Sequence, residues 1–356
     1  MSSNYIIEEV FSKRLKSARV MQGLSMDALC ARMDNIISKQ SISKYETGKM
    51  MPDSTVLIAL ANALQVSVDY LFRPFKTDLQ SVEFRKKSKL KITDLDSIKE
   101  KVRDSVERYL EIENILNMDS KFKIDFSNVT VQGADDVKNL VVRLRKEWNL
   151  GEDAISYVLS LLEENEIKVI ELDAPDGFDG LSGWVNQSYP VIVLNKNFPA
   201  ERKRFTALHE LGHLLLSFDP IISAKEQESL CNLFASEMLL PSNQFIKLLG
   251  ASRKDISLQE LIDLQMQYGI SIDALIYKAK ELNIISEQRY NTYFIKKNTT
   301  PKFKDDANES RFPIETSYRF RRLIYRAIAS EIISLSKASV LLNAPIQELK
   351  LSLNLV

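Results

Sequence analysis

Apolar residues recur along this chain with two periods, and the change between them separates its parts. Residues 6–72 read as five short helices. In the first, Val10, Leu15 and Val20 are spaced by Lys13, Arg14, Lys16 and Arg19, the pattern of a helix that buries one face. Gly23 closes it and Ser25 caps a second helix over 26–33, since glycine tolerates the left-handed end of a helix and a serine oxygen accepts from its first free N–H groups. A third helix over 38–46 ends at Thr47-Gly48, Pro52 and Asp53 lead into a fourth over 56–64, and a fifth holds Val68, Tyr70 and Leu71.

After Pro74 the pattern lapses into the run Arg85-Lys86-Lys87-Ser88-Lys89-Leu90-Lys91, read as a solvated linker. Helical spacing resumes over 92–116 through Ile98, Val102, Val106, Leu110, Ile112 and Ile115. Such a helix can brace two domains or form a dimer contact. Helices are expected over 137–148 and 153–165, followed by strand-like segments at 168–172, 181–186 and 190–194 with a turn at Asp176-Gly177-Phe178-Asp179-Gly180. Pro190, lacking an N–H for a ladder, suits an edge strand. An edge of that kind could hold an extended peptide by strand addition.

Residues 205–218 are almost continuously apolar and predict a buried helix, and 226–240 predict a second one stopped by Pro241. Two more helices, 257–268 and 271–282, read as packing for this core. Residues 296–311 are polar and read as a loop. The basic stretch 319–326 opens a last helical region that continues through 342, best suited to packing on a partner element. The pattern therefore predicts a multidomain, mainly α protein with domains at 1–75, 76–134, 135–295 and 296–356. The second is a basic linker with a bracing helix, the third an α+β domain with a small sheet, and the last a polar loop and helical C-terminal extension.

Candidate chemistry is concentrated in the buried helix. The chain has 2 histidines among 356 residues, and both stand in Leu208-His209-Glu210-Leu211-Gly212-His213. Positions i and i+4 share one helix face, so both imidazoles can reach one metal while the intervening Glu210 addresses a water on it. A carboxylate in so apolar a helix costs several kcal/mol unless it is used, and a general base beside Zn²⁺ is such a use. Gly212 weakens a helix and leaves room for another backbone to approach.

A catalytic zinc takes three protein ligands and keeps one open position. With no third histidine, the remaining ligand must be a carboxylate or Cys231. In the following helix Glu228, Asn232 and Ala235 share a face, whereas Glu237 points the other way. Glu228 is therefore the expected third ligand, Asn232 a residue that orients a ligand, Glu226 a weaker substitute and Glu237 a solvated surface charge. An oxyanion must be stabilised by something other than histidine, with Tyr189 and Arg204 as candidates.

Charge changes the picture little. Lys and Arg number 48 against 48 Asp and Glu, so no global field draws the chain to nucleic acid or membrane. Residues 1–75 hold nine Lys or Arg and seven Asp or Glu, an excess of two, so DNA binding through this part would be weak and salt-sensitive without dimerisation. Two cysteines, Cys30 and Cys231, give no disulfide framework and fit a reducing compartment. With no signal-like start and no run of membrane-spanning length, the expectation is a soluble cytoplasmic protein.

Two resemblances add to this reading. Residues 8–73 resemble the Xre or lambda-repressor type of helix-turn-helix, with Ile42, Tyr45 and the Gly48-x-x-x-Pro52 punctuation in familiar places. Met26 stands where a polar residue is usual, and the turn Asp34-Asn35-Ile36-Ile37 is one residue longer. The resemblance implies that Gln40, Ser41, Ser43 and Lys44 face the major groove, where Gln can read adenine and Lys guanine or phosphate. A protein-recognition bundle of the same shape is the competing reading.

Residues 135–250 resemble the ImmA/IrrE family of metallo-endopeptidases. The likeness rests on Arg204-Phe205-Thr206-Ala207-Leu208-His209-Glu210-Leu211-Gly212-His213 and on Glu228-x-x-Cys231-Asn232-x-Phe234-Ala235-x-x-Met238-Leu239-Leu240-Pro241. It implies a gluzincin-like α+β core and cleavage of a regulatory protein, commonly a repressor. With the His-Glu-x-x-His motif and the helix-turn-helix resemblance, the leading expectation is a DNA-bound, Zn²⁺-dependent endopeptidase that cuts such a repressor, or the chain itself, after a stress signal. The alternative is a transcription regulator or antitoxin whose zinc site is structural or vestigial.

Overall fold

A computed structural model describes residues 3–75, 91–118, 121–124, 126 and 129–353, with the side chains of 3–6 and 352 left aside. These residues divide into two compact units. One holds residues 3–75 and 91–118 together with 318–353, and the other lies within 121–317. The basic run 85–91 falls outside the described residues except for Lys91.

The first unit begins with α1 (Ser3–Met21), α2 (Met26–Arg32), α3 (Lys39–Glu46), α4 (Ser54–Leu64) and α5 (Val68–Phe72). The expected punctuation is present: Gly23 has φ +67°, Ser25 accepts from Ala28 N, and Ser38 and Asp53 cap α3 and α4 in the same way. Phe11, Leu15, Leu29, Ile42, Leu60 and Leu71 are fully buried between these helices. Then α6 (Ile92–Ile115) packs along α1. Its Glu107 accepts from the buried Arg14 at 2.7 Å, and its Asp104 pairs with Arg73 at 2.6 Å.

The second unit opens with the two-residue strand β1 (Thr130–Val131), then α7 (Ala134–Glu147), α8 (Val158–Glu164), β2 (Lys168–Leu172), β3 (Gly180–Val185), β4 (Tyr189–Asn195) and α9 (Ala200–Leu215). Strand β5 (Ser217–Phe218) pairs in parallel with β1. It is followed by α10 (Ala224–Leu239), α11 (Ser242–Leu249), α12 (Leu258–Tyr268), α13 (Ile272–Glu281), α14 (Glu287–Thr299) and α15 (Pro301–Asn308). The larger sheet has the order β2-β4-β3, with β4 parallel to β2 and antiparallel to β3.

Three expectations fail in this unit. Pro190 lies in the central strand, tolerated because the pairing with β2 starts one residue later at Val191, so the edge beside α9 is β3. The helix expected from residue 153 starts at Val158. The carbonyls of Asp153, Ile155 and Ser156 instead accept from the side chains of Arg145 and Arg204. The polar stretch 296–311 is largely helical: Pro301 enters the first turn of α15, where its missing N–H costs nothing, while Ala307 is buried and Phe303 packs against the core.

The chain then returns to the first unit as α16 (Arg319–Ala329), α17 (Leu335–Leu342) and α18 (Ile346–Ser352). Leu323, Ile324, Ala327, Ala338 and Leu341 close over Tyr109 and Ile112 of α6. The bracing helix thus joins the amino-terminal bundle to the carboxy-terminal helices.

Candidate functional site

Helix α9 runs through the core of the second unit and places His209 and His213 on one face. Helix α10 crosses it at Gly212. A methyl group there would meet Phe234 Cδ1 at 3.3 Å and Cys231 Cα at 3.5 Å, so the absent side chain allows the two backbones to approach. That crossing brings Glu228 to the imidazoles.

The ligand groups of three residues converge there. His209 Nε2 and His213 Nε2 are 3.0 Å apart, and the Glu228 carboxylate oxygens lie 3.3 Å from the first and 3.2 Å from the second. A tetrahedral ion with bonds of about 2.0–2.1 Å has ligand–ligand edges of roughly 3.3 Å. The donor set and its spacing therefore fit zinc with one position left for water or substrate. The imidazoles are buried while Glu228 is 37% exposed, so the cluster opens on the carboxylate side.

On the opposite flank β3 comes down on α9. Its alternation buries Leu181, Gly183 and Val185 and turns Gly180, Ser182 and Trp184 to the other face. A methyl group on Gly180 would sit 2.7 Å from Thr206 Cγ2 and 2.9 Å from the Val193 carbonyl. Only glycine permits so close an approach. Two residues along, Ser182 Oγ donates to Glu210 Oε2 at 2.8 Å.

The other expected site residues are placed differently. Asn232 is exposed, and it is Cys231 whose Sγ lies 3.3 Å from His213 Nδ1. Three residues after Glu228 the helix has turned toward the ring, and at four it faces solvent. Glu237 is no surface charge: it is buried, pairs with Lys278 at 2.6 Å and accepts from Ser242 N at 2.9 Å. Pointing away from the metal cluster means pointing into the core at this position, where Lys278 of α13 lies against α10. Arg204 is also buried, donating to Glu315 and to the carbonyls of Ile155 and Tyr268, so it is unavailable to an oxyanion. Tyr189 pairs with Val185, at the end of the ladder away from Gly180. Sequence reasoning missed Ser182 and Gly180, although the alternation of the Gly-Leu-Ser-Gly-Trp-Val strand was the signal that could have found them.

In the first unit α3 buries Ile42 and Tyr45 and leaves Gln40 and Lys44 exposed, with Ser43 half-buried beside them. Ser41 is half-buried too, its hydroxyl 3.1 Å from that of the cap residue Ser38. Arg19 of α1 grips Glu46 through two hydrogen bonds of 2.6 and 2.8 Å. That bidentate pair sets the angle at which α3 is presented.

The molecule thus combines a helix-turn-helix unit with a helical unit built around a His-Glu-x-x-His candidate metal centre. Residues 15–71 match the helix-turn-helix family model, and residues 162–280 match the model described as the IrrE N-terminal-like domain. The chain carries an Xre-like helix-turn-helix domain and an ImmA/IrrE-like domain of the peptidase class. A 64-residue segment is 38% identical to the SPbeta prophage-derived uncharacterized HTH-type transcriptional regulator YonR of Bacillus subtilis (strain 168), covering 18% of this chain and 57% of that protein. The chain therefore spans little over half the length of this relative. Among the described residues no helix is long and apolar enough to cross a membrane.

Proposed function

We propose that this chain is a DNA-binding, zinc-dependent endopeptidase of the cytoplasm that cuts a repressor-type regulatory protein, or itself, in response to a stress signal. The observation that carries the reading is the convergence of His209, His213 and Glu228, the two Nε2 atoms 3.0 Å apart and each within 3.3 Å of one oxygen of the Glu228 carboxylate, beside the Glu210 carboxylate. Zinc held there would polarise a scissile carbonyl and acidify a water. With zinc held by those three residues, Glu210 would serve as general base toward the attacking water and general acid toward the leaving amine, and Ser182 keeps its carboxylate turned to the site. Cys231 supports the His213 ring from behind. Strand β3, the sheet edge beside α9, offers its backbone to an extended substrate.

The helix-turn-helix unit would place this activity on DNA or beside a DNA-bound repressor, with Gln40, Ser41, Ser43 and Lys44 against the major groove and a homodimer supplying affinity. The zinc-loaded protein is expected to cleave a repressor encoded beside it. Glu210→Gln should abolish cleavage while zinc content, read by mass spectrometry, is retained; equal activity in that variant would sink the mechanism.

A second reading is favoured by the similarity of a 64-residue segment to an HTH-type transcriptional regulator. Under it the chain regulates transcription and the metal cluster only stabilises the fold. Changing His209 or His213 would then lower thermal stability, and no cleavage would be found in any form of the protein.

A further inference from the structure

Helix α7 of the second unit carries a stripe at helical spacing, Lys138, Val141, Val142, Arg145 and Lys146, which with Asn149 just past its end forms one wall of a cavity of about 530 Å³. The opposite wall is the junction of α10 and α11, with Glu237, Pro241, Ser242 and Asn243. This volume lies within the range of small-molecule sites, roughly 300–1,000 Å³. It belongs to neither the metal cluster nor the recognition helix, since Glu237 faces away from Glu228 on α10.

Charge at the cavity is unbalanced. Glu237 is taken by the buried Lys278 at 2.6 Å. Glu152 is taken by Lys247 at 2.6 Å. The buried Arg145 donates to the carbonyls of Gly151, Met238 and Asp153, which satisfy its hydrogen bonds without cancelling its charge. Counting the exposed Asp153 as well, five cations (Lys138, Arg145, Lys146, Lys247, Lys278) face three carboxylates (Glu152, Asp153, Glu237). Two positive charges are left over, and Lys138 and Lys146 both line the cavity. Between them lies an apolar floor of Val141, Val142 and Pro241, with Val142 68% exposed. The side-chain amides of Asn149 and Asn243 complete the lining.

An apolar floor, cationic ends and two amides suit a ligand with a flat apolar body, hydrogen-bonding edges and a strong negative group. We propose that this cavity binds a phosphorylated small molecule of mononucleotide size, its phosphate held by Lys146 at one end of the floor and its ring lying on Val142 and Pro241. A free phosphate would use Lys146 and leave the floor bare. A nucleoside would use the floor and leave Lys146 unpaired.

Isothermal titration of the full-length protein with AMP, GMP, CMP and UMP tests this, with adenosine and inorganic phosphate as the two partial ligands. At least one monophosphate should bind saturably, at least tenfold tighter than inorganic phosphate, and adenosine at least tenfold weaker than AMP if AMP is a ligand. Lys146→Glu and Val142→Glu change exposed side chains and should each weaken binding tenfold or more, with the thermal midpoint of the unliganded protein unchanged. The proposal is overturned if none of the four binds, if inorganic phosphate binds as tightly as the best of them, or if both variants bind within twofold of wild type.

Discussion

Replacing Glu237 by alanine removes a carboxylate that accepts from Lys278 Nζ, Ser242 N and Ser242 Oγ inside the second unit. Lys278 is only 5% exposed, so its ammonium would be left charged with no acid against it. Removing one member of a buried pair typically costs about 3–5 kcal/mol, whereas replacing both by apolar residues of similar size is often neutral. For a unit of this size that corresponds to a fall in melting temperature of about 6–20 °C. Both tryptophans, Trp148 and Trp184, lie in the second unit, so urea unfolding followed by tryptophan fluorescence reports this unit separately. Glu237→Met combined with Lys278→Met should recover most of the loss.

The pH dependence of the same variant has a defined sign. Burial alone pushes the Glu237 carboxyl up, but Lys278 and the two Ser242 donors outweigh it and hold it below its ordinary value. A carboxyl depressed in the folded state contributes stability that is complete above the ordinary carboxylate pKa, about 4.3, and is lost as pH falls through the folded value. The gap between wild type and Glu237→Ala should thus stay level near neutral pH and narrow only in acid. A gap under 1 kcal/mol at pH 7, or zinc lost along with stability, would refute the placement of Glu237 as a core charge separate from the metal cluster.

Three other outcomes are expected. Glu228→Ala should release zinc, measured by mass spectrometry of the purified protein, with little effect on the metal-free melting temperature because Glu228 is 37% exposed; retained zinc would rule Glu228 out as a ligand. Gly180→Ala should destabilise the second unit by about 1–3 kcal/mol, the usual cost of overpacking, since its methyl group would overlap Thr206 and the Val193 carbonyl; an unchanged urea midpoint would contradict that contact. Lys44→Ala should weaken operator binding and reduce the slope of log affinity against log salt by about one if Lys44 holds a phosphate, and an unaltered slope in a gel-shift salt series would remove it from the interface.

Much of this architecture was legible because its signals are local. The caps Ser25, Ser38 and Asp53 and the left-handed Gly23 and Gly48 act within a few residues of their helices, and His209 and His213 need only one helix to share a face. The approach of Glu228 to the two imidazoles was within reach because its helix follows at once and Gly212 marks the crossing. The failures were of another kind. Arg145 and Arg204 take carbonyls that a continuous helix from residue 153 would have used for itself, a competition between side chains and backbone that periodicity cannot register. Strand order decided the place of Pro190, and the partner of Glu237 lies 41 residues away in Lys278. Which face of α10 was wet depended on helices the local pattern does not see.

The first unit is interrupted: its chain leaves after α6 and re-enters at α16, so two crossings of the backbone tie it to the peptidase-like unit. At 5–20 residues per second the ribosome spends roughly 10–40 s on the intervening stretch, and for that time the face of α6 that holds Tyr109 and Ile112 has no cover. The same topology bears on release from DNA. One self-inflicted cut, wherever it fell between the units, would open a loop without freeing either part. Letting go would take a second cut, or the peeling of α16, α17 and α18 from α6.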